Sequence, residues 1–227
     1  MENSLAAFQS AVALGYRYLE TDVHATADGV LVAFHDSSLD RVTDRNGEIA
    51  ELPYREVALA RIGGREPIPL LEDLLGALPD ARFNIDVKVP GAIEPLVQAV
   101  GRTNSLDRVC ISSFSDDRLA KVRAALGPRL CTALGPRAVA ALRVGSYLPV
   151  VRPRAGVCAQ VPTGTRWIRI VDPRFVAAAH RLGLQVHVWT IDEPAEIRRL
   201  LDLGVDGIMT DDIHALRDVL VERNLWH

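Results

Sequence analysis

Apolar residues recur along the chain in two alternating patterns. Stretches with apolar positions three and four residues apart predict amphipathic helices, and short runs rich in valine, isoleucine and leucine predict buried strands. The first pattern predicts helices over residues 5–14, 70–78, 92–102, 117–126, 136–144, 173–182, 194–203 and 212–223. A shorter helix is expected over residues 54–60, inside an otherwise polar and irregular stretch, residues 37–67.

The second pattern predicts strands between these helices. They end near Val23, Val87, Ser112, Ala133, Gln160, Trp189 and Thr210. Residues 30–34 form an additional apolar run in the second connection, and residues 167–171 are another candidate short strand. Regular alternation of strands and helices predicts a parallel sheet covered by helices. The expected fold class is α/β, a TIM-type (β/α)8 barrel whose first strand is missing from this chain.

No linker and no fixed-period repeat divides the sequence. The loop-rich segment 149–162 is too short to separate two domains, so residues 1–227 are expected to form a single domain. Hydrophobic residues make up 48% of the chain and charged residues 24%, which is globular composition and excludes disorder as the main state.

The net charge and the cysteine content restrict further which class of protein this is. The 26 basic and 29 acidic side chains give a net charge of −3, which argues against a nucleic-acid partner. Cys110, Cys131 and Cys158 are odd in number and widely spaced, so we interpret them as small core residues of a reducing compartment. No apolar run is long enough for a transmembrane segment. No signal peptide is visible, although one could lie upstream of Met1, and a cytoplasmic location is expected.

Charged residues follow several of the predicted strands. Glu20 and Asp22 are two positions apart on one strand and therefore point to the same side. Asp86 and Lys88 repeat this spacing on a later strand, and His35 follows the apolar run 30–34. Because functional residues of parallel barrels gather at the carboxyl ends of strands, we expect these side chains to share one pocket.

The charge balance of such a pocket indicates a metal site. Three carboxylates, those of Glu20, Asp22 and Asp86, are costly to bury unless Lys88 and a divalent cation compensate them. An all-oxygen ligand set favours Mg²⁺ or Ca²⁺, and such a cation can polarise a phosphoryl oxygen. Histidine is the side chain best suited to moving a proton near neutral pH, and His35 is the candidate for that role. The interpretation from the residues alone is metal-assisted phosphoester hydrolysis.

Each feature also has a purely structural interpretation. The Glu20 and Asp22 pair is also what a solvated strand face looks like, and Asp86 with Lys88 also fits a structural ion pair. His35 with the following aspartate is common in turns, and Trp189 at a strand end is compatible with core packing. The occurrence of all these features at strand ends of one predicted barrel favours the functional interpretation.

The order of the motifs along the whole chain resembles the glycerophosphodiester phosphodiesterase family. These motifs are Glu2-Asn3-Ser4-Leu5-Ala6-Ala7-Phe8, Gly15, Glu20-Thr21-Asp22-Val23, Thr26-Ala27-Asp28-Gly29, Val32, His35-Asp36, Leu39, Arg41, Thr43, Ile68-Pro69-Leu70-Leu71-Glu72, Ile85-Asp86-Val87-Lys88, Ser113-Phe114, Val188-Trp189-Thr190-Ile191-Asp192 and Gly204-Val205-Asp206-Gly207-Ile208-Met209-Thr210-Asp211. The resemblance implies a (β/α)8 barrel of the PLC-like phosphodiesterase type. It also implies hydrolysis of small-molecule glycerophosphodiesters to sn-glycerol 3-phosphate and an alcohol, in phospholipid catabolism, with Ca²⁺ or Mg²⁺.

The resemblance also implies roles for individual residues. The metal ligands would be Glu20, Asp22 and Asp86, the last standing where the family usually has glutamate. His35 would be one of two catalytic histidines. Lys88 would contact the phosphate, and Trp189 would line the glycerol pocket.

The start of the chain departs from the family pattern. The resemblance implies a preceding strand ending in His-Arg-Gly, which would supply the other catalytic histidine and a phosphate-binding arginine. Three explanations fit the missing strand: a start site assigned too far downstream, a truncated gene, or a non-catalytic protein. We expect the 227-residue chain alone to hydrolyse glycerophosphodiesters negligibly. The alternative function is an impaired or inactive barrel that binds phosphate esters or a protein partner. A third possible function is that of a related barrel phosphodiesterase that acts on intact lipids, such as the sphingomyelinase D-like enzymes.

Overall fold

The computed structural model describes residues 1–148, 155–166 and 168–226. Their contacts divide the chain into two compact units, Met1–Cys131 and Thr132–His227. Trp167, part of the candidate strand 167–171, lies outside the described residues, as do residues 149–154 of the loop-rich segment.

The first unit contains the predicted alternation of helices and strands. Its helices are α1 (Leu5–Leu14), α2 (Tyr54–Val57), α3 (Leu71–Ala77), α4 (Ile93–Arg102) and α5 (Asp116–Leu126), with 3-10 turns at Ile49–Glu51, Pro90–Ala92 and Leu106–Arg108. Its strands are β1 (Tyr18–Ala25), β2 (Leu31–Ala33), β3 (Arg61–Ile62), β4 (Glu66–Pro67), β5 (Arg82–Val87) and β6 (Val109–Ser112), followed by β7 (Cys131–Thr132) at the unit boundary.

The main sheet has the strand order β2-β1-β5-β6-β7. Strands β1 and β5 are parallel, and their register places Asp22 beside Asp86. Strands β5 and β6 are also parallel, with Asp86 beside Ser112. The additional apolar run is β2, which pairs antiparallel with the end of β1 through Val23 and Ala33. This register, rather than the sequence spacing alone, determines which charged residues become neighbours.

Helix α1 illustrates how local sequence sets the start of the unit. The Ser4 hydroxyl accepts a hydrogen bond from the Ala7 amide at 3.2 Å and caps the first turn. Gly15 ends the helix in the left-handed region, at φ 107°, where glycine has no steric penalty. The predicted helix over residues 5–14 is therefore confirmed, and Glu2 and Asn3 lie just before its cap.

The connection between β2 and α3 is more ordered than its polar sequence predicts. It encloses a buried apolar cluster whose members are Val32, Phe34, Leu39, Ile49, Val57, Ala60, Ile62 and Ile68. The hairpin of β3 and β4 adds antiparallel pairing to this connection. The expectation of an irregular stretch over residues 37–67 was therefore wrong in this respect, because these apolar residues pack together without following a helix or strand period.

The second unit has its own three-stranded sheet. Its elements are α6 (Pro136–Gly145), β8 (Cys158–Pro162), α7 (Pro173–Arg181), β9 (Gln185–Trp189), α8 (Pro194–Asp202), β10 (Gly207–Ile208) and α9 (Ile213–Glu222). Strand β9 lies between β8 and β10, and both pairings are parallel. Asp172 caps α7 by accepting from the Phe175 amide at 2.8 Å. Among the described helices, none has the length and apolar character needed to cross a bilayer.

The cysteines are free thiols. Cys158 is buried, as expected for a small core residue, whereas Cys110 and Cys131 are half-buried.

Candidate active site

Two carboxylates on neighbouring strands are joined by one ammonium group. Lys88 Nζ lies 2.8 Å from Asp22 Oδ1 and 2.9 Å from Asp86 Oδ2. Both aspartate side chains are only 7% exposed, and that of Lys88 is 22% exposed. Burial lowers the pKa of Lys88, but the hydrogen bonds that it donates to Asp22 and Asp86 and the negative charges of these carboxylates outweigh burial and raise the pKa above its ordinary value. Lys88 is therefore charged at neutral pH and compensates one of the two carboxylates.

The second carboxylate charge makes this cluster suitable for a cation. Asp86 Oδ1 is buried and has no hydrogen-bond partner within the described residues. A buried oxygen without a partner is unfavourable, and a hard divalent cation is a ligand that satisfies it. In the described part of the chain, no three His, Cys, Asp or Glu side chains are arranged to hold a metal ion. The donor set that fits a cation is thus the pair Asp22 and Asp86.

Glu20 lies on the same face of β1 as Asp22 but at a different level of the sheet. Its register partner on β5 is Asn84, two positions before the pair Asp22 and Asp86, and its side chain is exposed. The structure therefore brings Asp22, Asp86 and Lys88 together and places Glu20 toward the amino end of the strand. Asp22 and Asp86 lie further along β1 and β5, toward the carboxyl ends where functional residues of parallel barrels gather.

Asn3 connects the start of α1 to this cluster. Its backbone is in the left-handed region, at φ 52°. Its Oδ1 accepts a hydrogen bond from the Thr21 hydroxyl at 2.6 Å, and its Nδ2 lies 3.5 Å from Asp22 Oδ2. Asn3 thus contacts the side chain of a carboxylate that we expect to bind a cation.

His35 follows β2 and is fixed through its main chain. The Phe34 amide donates to the Asp22 carbonyl at 2.9 Å, and His24 Nε2 lies 3.1 Å from the His35 carbonyl oxygen. Burial lowers the pKa of His24, which keeps this ring neutral at physiological pH. The His24 ring therefore contacts the main chain of His35.

The imidazole of His35 is 53% exposed and is the first member of a chain of polar contacts. His35 Nδ1 lies 2.6 Å from Asp36 Oδ1. Arg41 donates to Asp36 through Nε at 2.5 Å and Nη2 at 3.0 Å, and to Glu2 through Nη2 at 2.5 Å and Nη1 at 3.2 Å. The hydrogen bond from Arg41, assisted by that from His35, lowers the pKa of Asp36 to about 2. The pKa of Arg41 is raised by the same contacts.

Trp189 belongs to the second unit. It is the last residue of β9, pairs in register with Pro162 of β8, and is half-buried. The role expected for Trp189 in a glycerol pocket stays a prediction.

Sequence reasoning assigned no function to Glu2, Asn3 and Arg41. All three belong to the motifs that carry the family resemblance, so the signal was present. Their partners are distant in sequence, however, and periodicity contains no information about such contacts.

A parallel α/β fold with paired carboxylates and a lysine toward the ends of two neighbouring strands fits a barrel enzyme that acts on phosphoric esters. The family model described as "Glycerophosphoryl diester phosphodiesterase family" matches residues 1–215. The chain belongs to this family of phosphoric diester hydrolases, and its fold is of the TIM-barrel type.

Similarity to individual proteins supports this family assignment. The "Probable glycerophosphodiester phosphodiesterase 2" of Mycobacterium tuberculosis is 43% identical over 229 residues, covering 99% of this chain and 87% of the relative. A glycerophosphodiester phosphodiesterase of Caldanaerobacter subterraneus is 30% identical, covering 95% of this chain and 90% of its own. The solved structure of an Oleispira antarctica phosphodiesterase, in complex with the product sn-glycerol-3-phosphate, has a TM-score of 0.82 at 22% identity, covering 97% and 91% of the two chains. This likeness supports the fold.

Proposed function

We propose that this protein hydrolyses glycerophosphodiesters to sn-glycerol 3-phosphate and an alcohol, in the catabolism of deacylated phospholipids. The observation that carries the proposal is the buried pair of carboxylates, Asp22 and Asp86, with Lys88 between them in a chain of this family. The product complex of the Oleispira antarctica protein supports a small phosphodiester as substrate class.

The proposal includes a divalent cation, Ca²⁺ or Mg²⁺. Asp22 and Asp86 would hold it, with Glu20 as the third ligand expected from the family pattern. When bound, such a cation polarises a phosphoryl oxygen and neutralises charge that develops in the transition state. Lys88 would contribute its positive charge to the phosphate once the carboxylates have another partner.

His35 is the proposed acid–base residue. Its imidazole is exposed beyond the sheet, whereas its main chain is fixed by His24 and by the adjacent pairing to β1. A histidine held in this way can exchange a proton with a bound phosphodiester near neutral pH. Trp189 is proposed to line the glycerol side of the substrate.

The test is release of sn-glycerol 3-phosphate from glycerophosphocholine by the full-length enzyme, that is, the product of its complete natural reading frame, before and after treatment with EDTA. We expect chelation to abolish turnover and added Ca²⁺ or Mg²⁺ to restore it. Asp22→Asn should abolish both turnover and the response to metal, whereas Asp73→Asn, at an exposed position on α3, should change neither. His35→Ala should reduce kcat by about 10²-fold or more and leave metal affinity unchanged.

Turnover by Asp22→Asn at the wild-type rate would remove this residue from the site. Binding of glycerophosphocholine without turnover, in the presence of metal, would instead favour the alternative of a non-catalytic barrel.

A further inference from the structure

Four side chains form a continuous chain of hydrogen bonds that ends on His35. The order is Glu2, Arg41, Asp36 and His35, and each link is 2.5 to 2.6 Å at its shortest contact. Glu2 lies before α1, whereas the other three follow β2. The contact between Glu2 and Arg41 therefore joins segments that are far apart in sequence.

The contact between Asp36 and His35 determines which nitrogen of His35 carries the proton. An ionised carboxylate can only accept hydrogen bonds, and Asp36 is ionised throughout the neutral range because its pKa is about 2. Nδ1 of His35 must therefore be the donor in the 2.6 Å contact with Asp36. In a neutral imidazole this leaves the lone pair on Nε2. Nε2 is then the nitrogen that can take a proton from a reacting group.

The second link fixes the position of the Asp36 carboxylate. Arg41 contacts both of its oxygens, and this two-point contact holds the plane of the carboxylate as well as its distance. A carboxylate held at one point only would be free to rotate away from the imidazole. The Nε contact at 2.5 Å and the Nη2 contact at 3.0 Å thus orient Asp36 toward His35.

The contact with Glu2 holds Arg41 from its other side. Glu2 accepts from Nη1 and Nη2 of Arg41, so the guanidinium group lies between two carboxylates. The next residue, Asn3, contacts Asp22 through its side chain. Of the two residues that precede the cap of α1, Glu2 is therefore connected to His35 through Arg41 and Asp36, and Asn3 contacts Asp22.

We propose that Arg41 and Glu2 are positioning residues that act through Asp36 to hold His35 with its proton on Nδ1 and its lone pair on Nε2. Neither residue is assigned a contact with substrate. The proposal rests on the proposed function, in which His35 exchanges a proton with the phosphodiester. It extends that function by naming the nitrogen that does so and the residues that keep it available.

The direct test is the tautomer of His35 in the free protein, read from long-range ¹H–¹⁵N NMR spectra of the ¹⁵N-labelled full-length enzyme. The wild type should show the Nδ1–H form. Asp36→Asn and Arg41→Gln should shift His35 toward the Nε2–H form, and Glu2→Gln should shift it in the same direction by less. Arg102→Gln is the matched control because it removes another exposed Arg–Glu pair, that with Glu72.

The kinetic test separates positioning from folding. We expect Asp36→Asn to reduce kcat about 10²-fold and Arg41→Gln about tenfold, with KM close to wild type and Tm lower by no more than about 2–4 °C. Arg41→Lys should recover part of the loss, because it retains the charge but not the two-point contact. Arg102→Gln should leave kcat within about twofold of wild type. Glu2→Gln, a change at an exposed position, provides a second test if Arg41→Gln does not fold.

A wild-type His35 in the Nε2–H form would overturn the proposal. So would equal kinetics and equal spectra for Arg41→Gln and Arg102→Gln. If the tautomer shifts as expected but the wild type hydrolyses no glycerophosphodiester, the positioning role is supported and the proposed function fails. The NMR and activity measurements therefore distinguish the two.

Discussion

Replacing Lys88 by methionine tests the charge balance of the carboxylate cluster. Methionine retains most of the length and apolar surface of the lysine stem but removes the ammonium group. In the wild type this group lies 2.8 Å from Asp22 and 2.9 Å from Asp86. The variant therefore leaves two adjacent carboxylates without their shared partner, at positions where each side chain is only 7% exposed.

The magnitude of the loss is set by burial and distance. At an effective dielectric constant of about 20, each contact has a gross Coulomb energy of about 6 kcal/mol, most of which is offset by desolvation. Removing one partner from a buried charge pair costs about 3–5 kcal/mol in general. Since Lys88 is 22% exposed, we expect the lower end, a loss of about 3 kcal/mol in the free energy of unfolding.

Urea unfolding of the metal-free proteins measures this loss directly. Ca²⁺ or Mg²⁺ should then stabilise Lys88→Met more than the wild type, because in the wild type Lys88 competes for the same oxygens. A cation at about 100 times its Kd adds about 2.7 kcal/mol, nearly the whole deficit.

The control is Lys121→Met, which changes the chain's other lysine at an exposed position on α5. It should unfold like the wild type, with and without metal. A loss below about 1 kcal/mol for Lys88→Met would refute the reasoning, since it would place the pair in the range of solvent-exposed salt bridges. Equal stabilisation of all three proteins by the cation would show that the metal binds elsewhere.

Further predictions concern acid stability, core packing and two glycines. The pKa of Asp36, about 2 against an ordinary 3.8, stabilises the fold at pH values above 3.8, and this contribution is lost as pH falls toward 2. Screening by solvent around the half-exposed Arg41 limits this contribution to about 1 kcal/mol, so Asp36→Asn should lower the free energy of unfolding by that amount at pH 7. The variant should also show a weaker acid dependence of urea unfolding between pH 4 and pH 2, and an unchanged acid dependence would contradict this reasoning. Phe175→Ala, at a fully buried position in α7, should cost about 3–5 kcal/mol in urea unfolding, and a loss below about 1 kcal/mol would mean that the site is not packed as described. Gly156→Ala should cost about 1–3 kcal/mol, because φ is +108° and a Cβ would lie 2.8 Å from Leu134 Cδ2 and 3.0 Å from the Ala133 carbonyl oxygen. In contrast, a Cβ at Gly76 inside α3 meets no atom within 4 Å, so Gly76→Ala should stabilise the protein by about 0.5–1 kcal/mol. A change of the same sign for both variants in thermal unfolding would refute the comparison.

The order of elements was predictable because it depends on local periodicity. The helices over residues 173–182 and 194–203 were placed within one residue of α7 and α8, since apolar spacing and an N-terminal proline define both. Strand ends were less accurate. Strand β10 covers only Gly207–Ile208, because pairing with β9 and not composition determines its length.

The candidate site was predictable where it depends on strand spacing. Asp86 and Lys88 point to the same side because they are two positions apart, whereas the placement of Asp22 beside Asp86 depends on the register of β1 and β5. The level of Glu20 depends on the register between β1 and β5, which the sequence does not specify. The link from Glu2 to Arg41 spans the whole of β1 and β2, so it depends on the tertiary fold.

The apolar cluster between β2 and α3 has a consequence for the order in which the first unit folds. Strands β1 and β5 are neighbours although their paired residues are roughly sixty positions apart, and closing so long a segment slows the search for native contacts. The members of the cluster, residues 32–68, lie entirely inside that segment, so any contact among them spans a shorter separation than the pairing of β1 with β5. Early collapse of the cluster would shorten the effective loop before β5 docks against β1. We expect pulsed hydrogen exchange during refolding to protect the Ile49 and Ile62 amides before those of β5, and protection in the reverse order would show that the parallel pairing forms first.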